Sequence, residues 1–189
     1  MLFAPLLYYI DDLHVGRMWG GINKVDNFYG NLPWTADRKE LWRELKQHSN
    51  TPDILTGVPL TKSSRAEKFN WCKRELVLEE EETLTVNHVD MAGSHSKHEC
   101  VSGRRKNKDG VINVITCWSK NKHYESKENH VLIDDRLSLK EEWEQRGGIF
   151  IHHTSTERSL AMLREKGILV DDVEDAKKKS SDSGKTEES

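Results

Sequence analysis

The sequence predicts an α/β fold: a Rossmann-like parallel sheet with flanking helices, a small helical cap at the N-terminus and a long loop insertion. Short apolar or β-branched runs recur at residues 53–57, 111–118, 130–133 and 149–153, each of strand length and bounded by turn formers. Helix-period stretches lie between and after the later runs, and such alternation argues for parallel strands. Several of the runs also end in polar residues. Ligands of open α/β sheets gather at strand ends, so these are the candidate functional positions.

A chain of 189 residues suits one domain. With 32% charged residues, a net charge of -3 and a mean hydropathy of -0.78, nothing marks nucleic acid as a partner. No stretch is long enough to span a bilayer. The apolar opening through Ile10 has no preceding basic residue and runs into Asp11-Asp12, so a signal peptide is not expected. Cys72, Cys100 and Cys117 are too few and scattered for a disulfide framework, which fits a reducing, cytoplasmic setting.

Residues 1–34 are assigned to an N-terminal segment with a small cap, rich in Gly and aromatics such as Trp19, Phe28, Tyr29 and Trp34. Residues 35–170 form the α/β core. Thr35 is placed to cap a helix to about His48, with Asp37 in its first turn and Leu41, Trp42 and Leu45 on one face. A short buried strand follows, ending in Thr56-Gly57. Ser64-Arg65-Ala66-Glu67 is a capping box for a helix whose Phe69, Cys72 and Leu76 face inward.

From 79 to 110 the pattern dissolves into a long mobile loop. His88, His95, His98 and Cys100 there match no closed tetrahedral spacing, so no zinc site is assigned. Arg104, Arg105, Lys106 and Lys108 read as a solvated run. Val111 to Trp118 is the clearest strand. After the run His130-Val131-Leu132-Ile133 come Asp134-Asp135, and Ser138-Leu139-Lys140-Glu141 follows as a capping box of its own. The acidic pair is then not needed as a cap and can hold a hard cation.

Gly147-Gly148 ends a helix around Trp143, residues 149–153 form a strand, and Thr154-Ser155-Thr156-Glu157 opens a last helix stopped by Gly167. Residues 171–189 are a solvated, disordered tail. Trp42, Trp71 and Trp143 read as core, and His152-His153 as pocket lining or surface histidines.

In a parallel sheet the ends Thr56-Gly57, Ser119-Lys120-Asn121-Lys122 and Asp134-Asp135 share one edge. A hydroxyl beside a glycine offers donors to a phosphate oxygen, a lysine offers fixed charge, and paired carboxylates hold Mg²⁺. Each also has an ordinary alternative: Thr56 as a turn residue, the lysines as solvated side chains.

The order Thr, Lys, Asp-Asp resembles motifs II to IV of the haloacid dehalogenase-like (HAD) phosphohydrolases, and most closely the pyrimidine-type 5′-(deoxy)nucleotidase branch. The resemblance covers roughly residues 34–169, interrupted by 79–110. It implies a HAD-like core acting on a small phosphorylated substrate, in the branch a nucleotide. By position, Thr56 and Gly57 would bind the phosphoryl group and Lys122, ahead of Lys120, would neutralise charge on it, making Thr56 and Lys122 the catalytic candidates. Asp134 and Asp135 would hold Mg²⁺, and the region from Trp19 to Trp34 would shape the pocket.

The first motif departs from the family. Its strand should end Asp-x-Asp-Gly, whose first carboxylate attacks phosphorus. The nearest candidates are Asp11, with Leu13 at the partner position, and Asp12, with His14. Neither register supplies the second carboxylate or the glycine, so hydrolysis is expected to be weak or absent. A non-catalytic nucleotide- or protein-binding module is the alternative. That strand sits centrally in the family's sheet, so its loss leaves open edges, and residues 1–10 are the candidate substitute.

Overall fold

The computed structural model describes residues 20–22, 24–35, 37–47, 52–59, 61–76, 85–90 and 111–169. Asp11, Asp12, Trp19, His95, His98, Cys100, the basic run from Arg104 to Lys108 and the tail lie outside the described residues. The order of elements is α1 (Arg38–Gln47), β1 (Ile54–Gly57), α2 (Lys62–Glu75), β2 (Thr85–Asp90), β3 (Val111–Cys117), β4 (Val131–Asp134), α3 (Lys140–Glu144), β5 (Ile149–His152) and α4 (Thr156–Glu165). Short 3₁₀ turns occupy Tyr29–Asn31, Ser119–Glu125 and Leu137–Leu139. The α/β class with parallel strands and flanking helices is as the alternation implied.

Among the described residues the strands form two ladders, and residues 1–10, the candidate substitute strand, lie outside the described residues. A three-stranded sheet runs in the order β1-β3-β2, and a separate pair joins β4 to β5. Every pairing is parallel, with Gly57 beside Cys117 and Asp134 beside His152. Among the described residues β1 and β4 are each bonded along one edge only. β2 is a correction, since the sequence reading made residues 79–110 a loop without a strand. Thr85–Asp90 pairs in register with Val111–Thr116, so the strongly β-branched β3 organises a neighbour whose own sequence carries little apolar signal.

Strand alternation sorts the apolar residues into two layers that both span the two ladders. Ile54, Ile112, Val114, Ile133 and Ile151 pack with Leu41, Trp42, Trp71, Cys72, Leu76, Leu160 and Leu163 from α1, α2 and α4 and their ends. On the other face Leu55, Ile115, Cys117, Leu132 and Phe150 meet Leu139 and Trp143. Side chains i and i+1 of a strand point to opposite faces, which is why Ile54 and Leu55, or Leu132 and Ile133, divide between the layers. Trp42, Trp71 and Trp143 are core residues, as the helical spacing implied.

The helix starts differ from the capping boxes read in the sequence. The Thr35 hydroxyl is buried without a hydrogen-bond partner, and α1 starts after Asp37, whose carbonyl accepts from Leu41 N at 3.1 Å. α2 begins at Lys62 behind Thr61, placing Ser64 inside the first turn, where its hydroxyl meets that of Thr61. Ser138 lies in a 3₁₀ turn that leads into α3, which has no side-chain cap. In α4 the cap is Ser155, one residue later than read, and its Oγ accepts from Arg158 N at 3.2 Å. Hydroxyl clusters offer several caps, and tertiary bonds choose among them.

Candidate functional site at the strand-end rim

β1 and β3 end side by side, and the chain leaving β3 turns through Ser119–Glu125 across the end of β4. Gly57 makes this approach possible. A Cβ there would sit 2.9 Å from Ser119 Cβ and Oγ, closer than side chains tolerate. The turn delivers Lys122 into the interior, 2% exposed, where Nζ donates to Asp134 Oδ2 at 2.8 Å. Lys120 instead lies over the exposed side of the Trp118 ring, 4.9 Å from its centroid. Of the two candidate lysines, the structure brings only Lys122 to the acidic pair.

Asp134 is fully buried, and its other oxygen accepts from Arg136 N at 2.9 Å. Burial works against the charged carboxylate, but Lys122 beside it and the Arg136 amide outweigh burial, so its pKa lies below the ordinary value. The Arg136 contact spans two residues, the local bond by which Asp shapes turns. Asp134 thus does turn duty that the sequence reading had set aside. Arg136 in turn donates from Nη1 to Ser119 Oγ at 2.5 Å, joining the ends of β3 and β4.

Two residues that the sequence reading did not select complete the rim. Lys68, from the middle of α2, donates to Thr56 Oγ1 at 3.2 Å and to the Gly57 carbonyl at 2.6 Å. Burial, then the charge of nearby Lys122, pulls its pKa down to about 8. Arg38, the first residue of α1, donates from Nη2 to Asp135 Oδ2 at 2.8 Å. One sequence signal for Lys68 was available: it lies one helical turn before Cys72 and three residues after buried Arg65, on the inward side of α2. Nothing local marks Arg38.

Thr56 is buried and lines a cavity of about 10 Å³ with Tyr29, Leu32, Lys68, Trp71 and Cys72, room for about one water. The segment from Tyr29 to Trp34 closes this side. Tyr29 N donates to Glu67 at 3.0 Å, Trp71 Nε1 to the Leu32 carbonyl at 2.6 Å and Trp34 Nε1 to Glu75 at 2.8 Å. The segment 29–34 is therefore bound to α2 beside the Thr56 cavity.

The histidines divide. His153 is buried, correcting the surface expectation. Its Nδ1 pairs with Ser159 Oγ at 2.8 Å, and its Nε2 lies 3.8 Å from Asp37. Burial and the charge of Arg38 lower its pKa, with Asp37 and Asp135 opposing. His88 leaves the zinc question altogether: it sits on β2, stacked on Phe69 with its Nε2 3.0 Å from Thr116 Oγ1.

Among the described residues the carboxylates proposed to hold Mg²⁺ are already engaged by protein donors. Both Asp134 oxygens and Asp135 Oδ2 already have donors at 2.8–2.9 Å, and two of those donors are cationic side chains. No group of three or more His, Cys, Asp or Glu among the described residues gathers as a cation site. A hard cation would have to share these carboxylates with the Lys122 and Arg38 charges already paired to them. No family model, curated protein or solved structure matches the chain. No helix among the described residues is long and apolar enough to cross a membrane.

Proposed function

We propose that the chain is a HAD-like α/β domain related to 5′-nucleotidases that binds a small phosphorylated ligand at the strand-end rim, with phosphomonoester hydrolysis weak or absent. The observation that carries this reading is the meeting of two lysines with a hydroxyl at adjacent strand ends. Lys68 holds Thr56 Oγ1 as an acceptor, which leaves the hydroxyl proton for an anionic oxygen. The Lys68 ammonium bonds Thr56 Oγ1 and the Gly57 carbonyl and lies 5.2 Å from the Tyr29 ring centroid, so it brings a positive charge to this end of the rim. Lys122 adds a second positive charge at the same rim.

Attack on phosphorus needs a carboxylate or another activated nucleophile. The carboxylates at this rim are held by Lys122 and Arg38, so binding is better supported than turnover. The buried thiols Cys72 and Cys117, neither in a disulfide, fit the proposed reducing, cytoplasmic setting.

Thermal denaturation with inorganic phosphate or a nucleoside 5′-monophosphate tests the reading, because a ligand of the native state raises its melting temperature. A rise that Lys68→Met abolishes is expected, with phosphate release near background. Absence of any stabilisation refutes the binding role, and robust turnover refutes the weak-catalysis part.

A further inference from the structure

We propose that Arg38 is the resident cation of this rim, neutralising Asp135 and offering its second amino group to one oxygen of a phosphate-type anion, so that anion binding requires no divalent metal. The inference rests on the anion-binding reading above and deepens it.

Two independent observations meet at this residue. The Arg38 side chain is 9% exposed and is paired through Nη2 with Asp135. Its Nη1 is buried without any hydrogen-bond partner. A guanidinium is a planar fork whose paired donors match carboxylate or phosphate oxygens. A buried donor left unbonded is costly, so a native structure that keeps such a group invites an acceptor. Asp135 takes one prong, and the acceptor for the other must share its neighbourhood.

The surroundings favour an anion. Asp134, the neighbour of Asp135, is already matched by Lys122, and Lys68 lies near enough to Lys122 for the two like charges to repel. Lys122 and Arg38 each pair with one carboxylate, and Arg136 and Asp37 add one charge of each sign nearby. Lys68 bonds only neutral acceptors, which leaves one positive charge that a phosphate oxygen would balance. A divalent cation would add charge of the sign already in excess.

Calorimetric titration with inorganic phosphate, in EDTA and in Mg²⁺, tests this on the full chain, its Arg38→Lys variant and its Asp135→Asn variant. Binding in EDTA is expected, weakened about tenfold in Arg38→Lys, which keeps a charge but loses the fork. Asp135→Asn frees the guanidinium and is expected to tighten phosphate several-fold without metal. Binding that appears only with Mg²⁺ overturns the inference and leaves the proposed function standing, as does wild-type affinity in Arg38→Lys. If Arg38→Lys fails to fold, unchanged or weaker binding by Asp135→Asn in EDTA overturns it instead. Absence of phosphate binding under both conditions overturns the inference and the proposed function together.

Discussion

Among the described residues the two strand ladders hold themselves together in the same way and hold to each other in a different way. Within β1-β3-β2, and within β4-β5, parallel backbone ladders do the work. Between them run side-chain bonds: Lys122 to Asp134, Arg38 to Asp135, Arg136 to Ser119 and Thr156 to Asp37. The apolar layers are common to both parts, so burial aligns the faces while charge fixes the rims. Backbone ladders are indifferent to side-chain identity, whereas a buried ion pair fails when one partner goes. The rim is thus where single substitutions should separate stability of the whole from stability of either part.

The largest effect is expected from Lys122→Met. It strands the fully buried Asp134 carboxylate, and removing one partner of such a pair costs about 3–5 kcal/mol. Denaturant unfolding measures it, and a loss under 1 kcal/mol would mean that the rim is not held by this pair. The double variant Lys122→Met, Asp134→Asn should recover part of the loss. Asp134 also has a pH signature: its folded pKa is depressed, so its contribution is complete above the unfolded value of about 3.9. It disappears as pH falls below that through the folded value. Asp134→Asn should flatten this acid limb.

Lys68 has a pH signature of the same sign at the alkaline end. With a folded pKa of about 8 against about 10.4 unfolded, the unfolded chain binds more protons between these values, and stability should rise with pH across that window. The gain is on the order of 3 kcal/mol at most, less where solvent screens the ammonium. Melting temperatures at pH 7.5 and 10 measure it, with Lys68→Met as the comparison. If the variant shows the same rise, another group is responsible.

How much of this was legible in the sequence follows the range of the interactions. β1, β3, β4 and β5 were readable because apolar runs and flanking turn residues are local, and so were the buried tryptophans. β2 was not, since Thr85–Asp90 becomes a strand through β3 rather than through its own pattern. At the rim, Thr56, Lys122 and the Asp pair stood out by position relative to strand ends. Lys68 and Arg38 did not, because each reaches its partner through packing, Arg38 across 97 residues of chain. The capping boxes failed for the same reason. A Ser or Thr near a helix start shows that a cap is available, while bonds such as Asp37 to Thr156 N decide where the helix begins.

Gly57→Ala probes the close packing at the ends of β1 and β3 rather than the charges that join the two parts. The added methyl would meet Ser119 at 2.9 Å, and an over-packed contact of this kind costs about 1–3 kcal/mol. Because the turn at Ser119 carries Lys122, the same substitution should weaken phosphate binding as well as stability. A variant with normal affinity would show that the turn can shift while Lys122 stays in place.

The smallest expected effect is also the most local. Ser155 caps α4 from within the β5 side, its Oγ accepting from Arg158 N, and Ser155→Ala should cost about 1 kcal/mol. The adjacent amide, Thr156 N, is satisfied from far away, by Asp37 Oδ2 at 2.6 Å. These two bonds serve the same helix end, one local and one joining distant parts of the chain. If Asp37→Ala proves the more damaging in urea unfolding, the helix start is held chiefly by the long-range bond, and side-chain contacts do connect the two parts. Equal losses would assign both bonds to ordinary capping, leaving the apolar layers and the Lys122 pair as the principal ties.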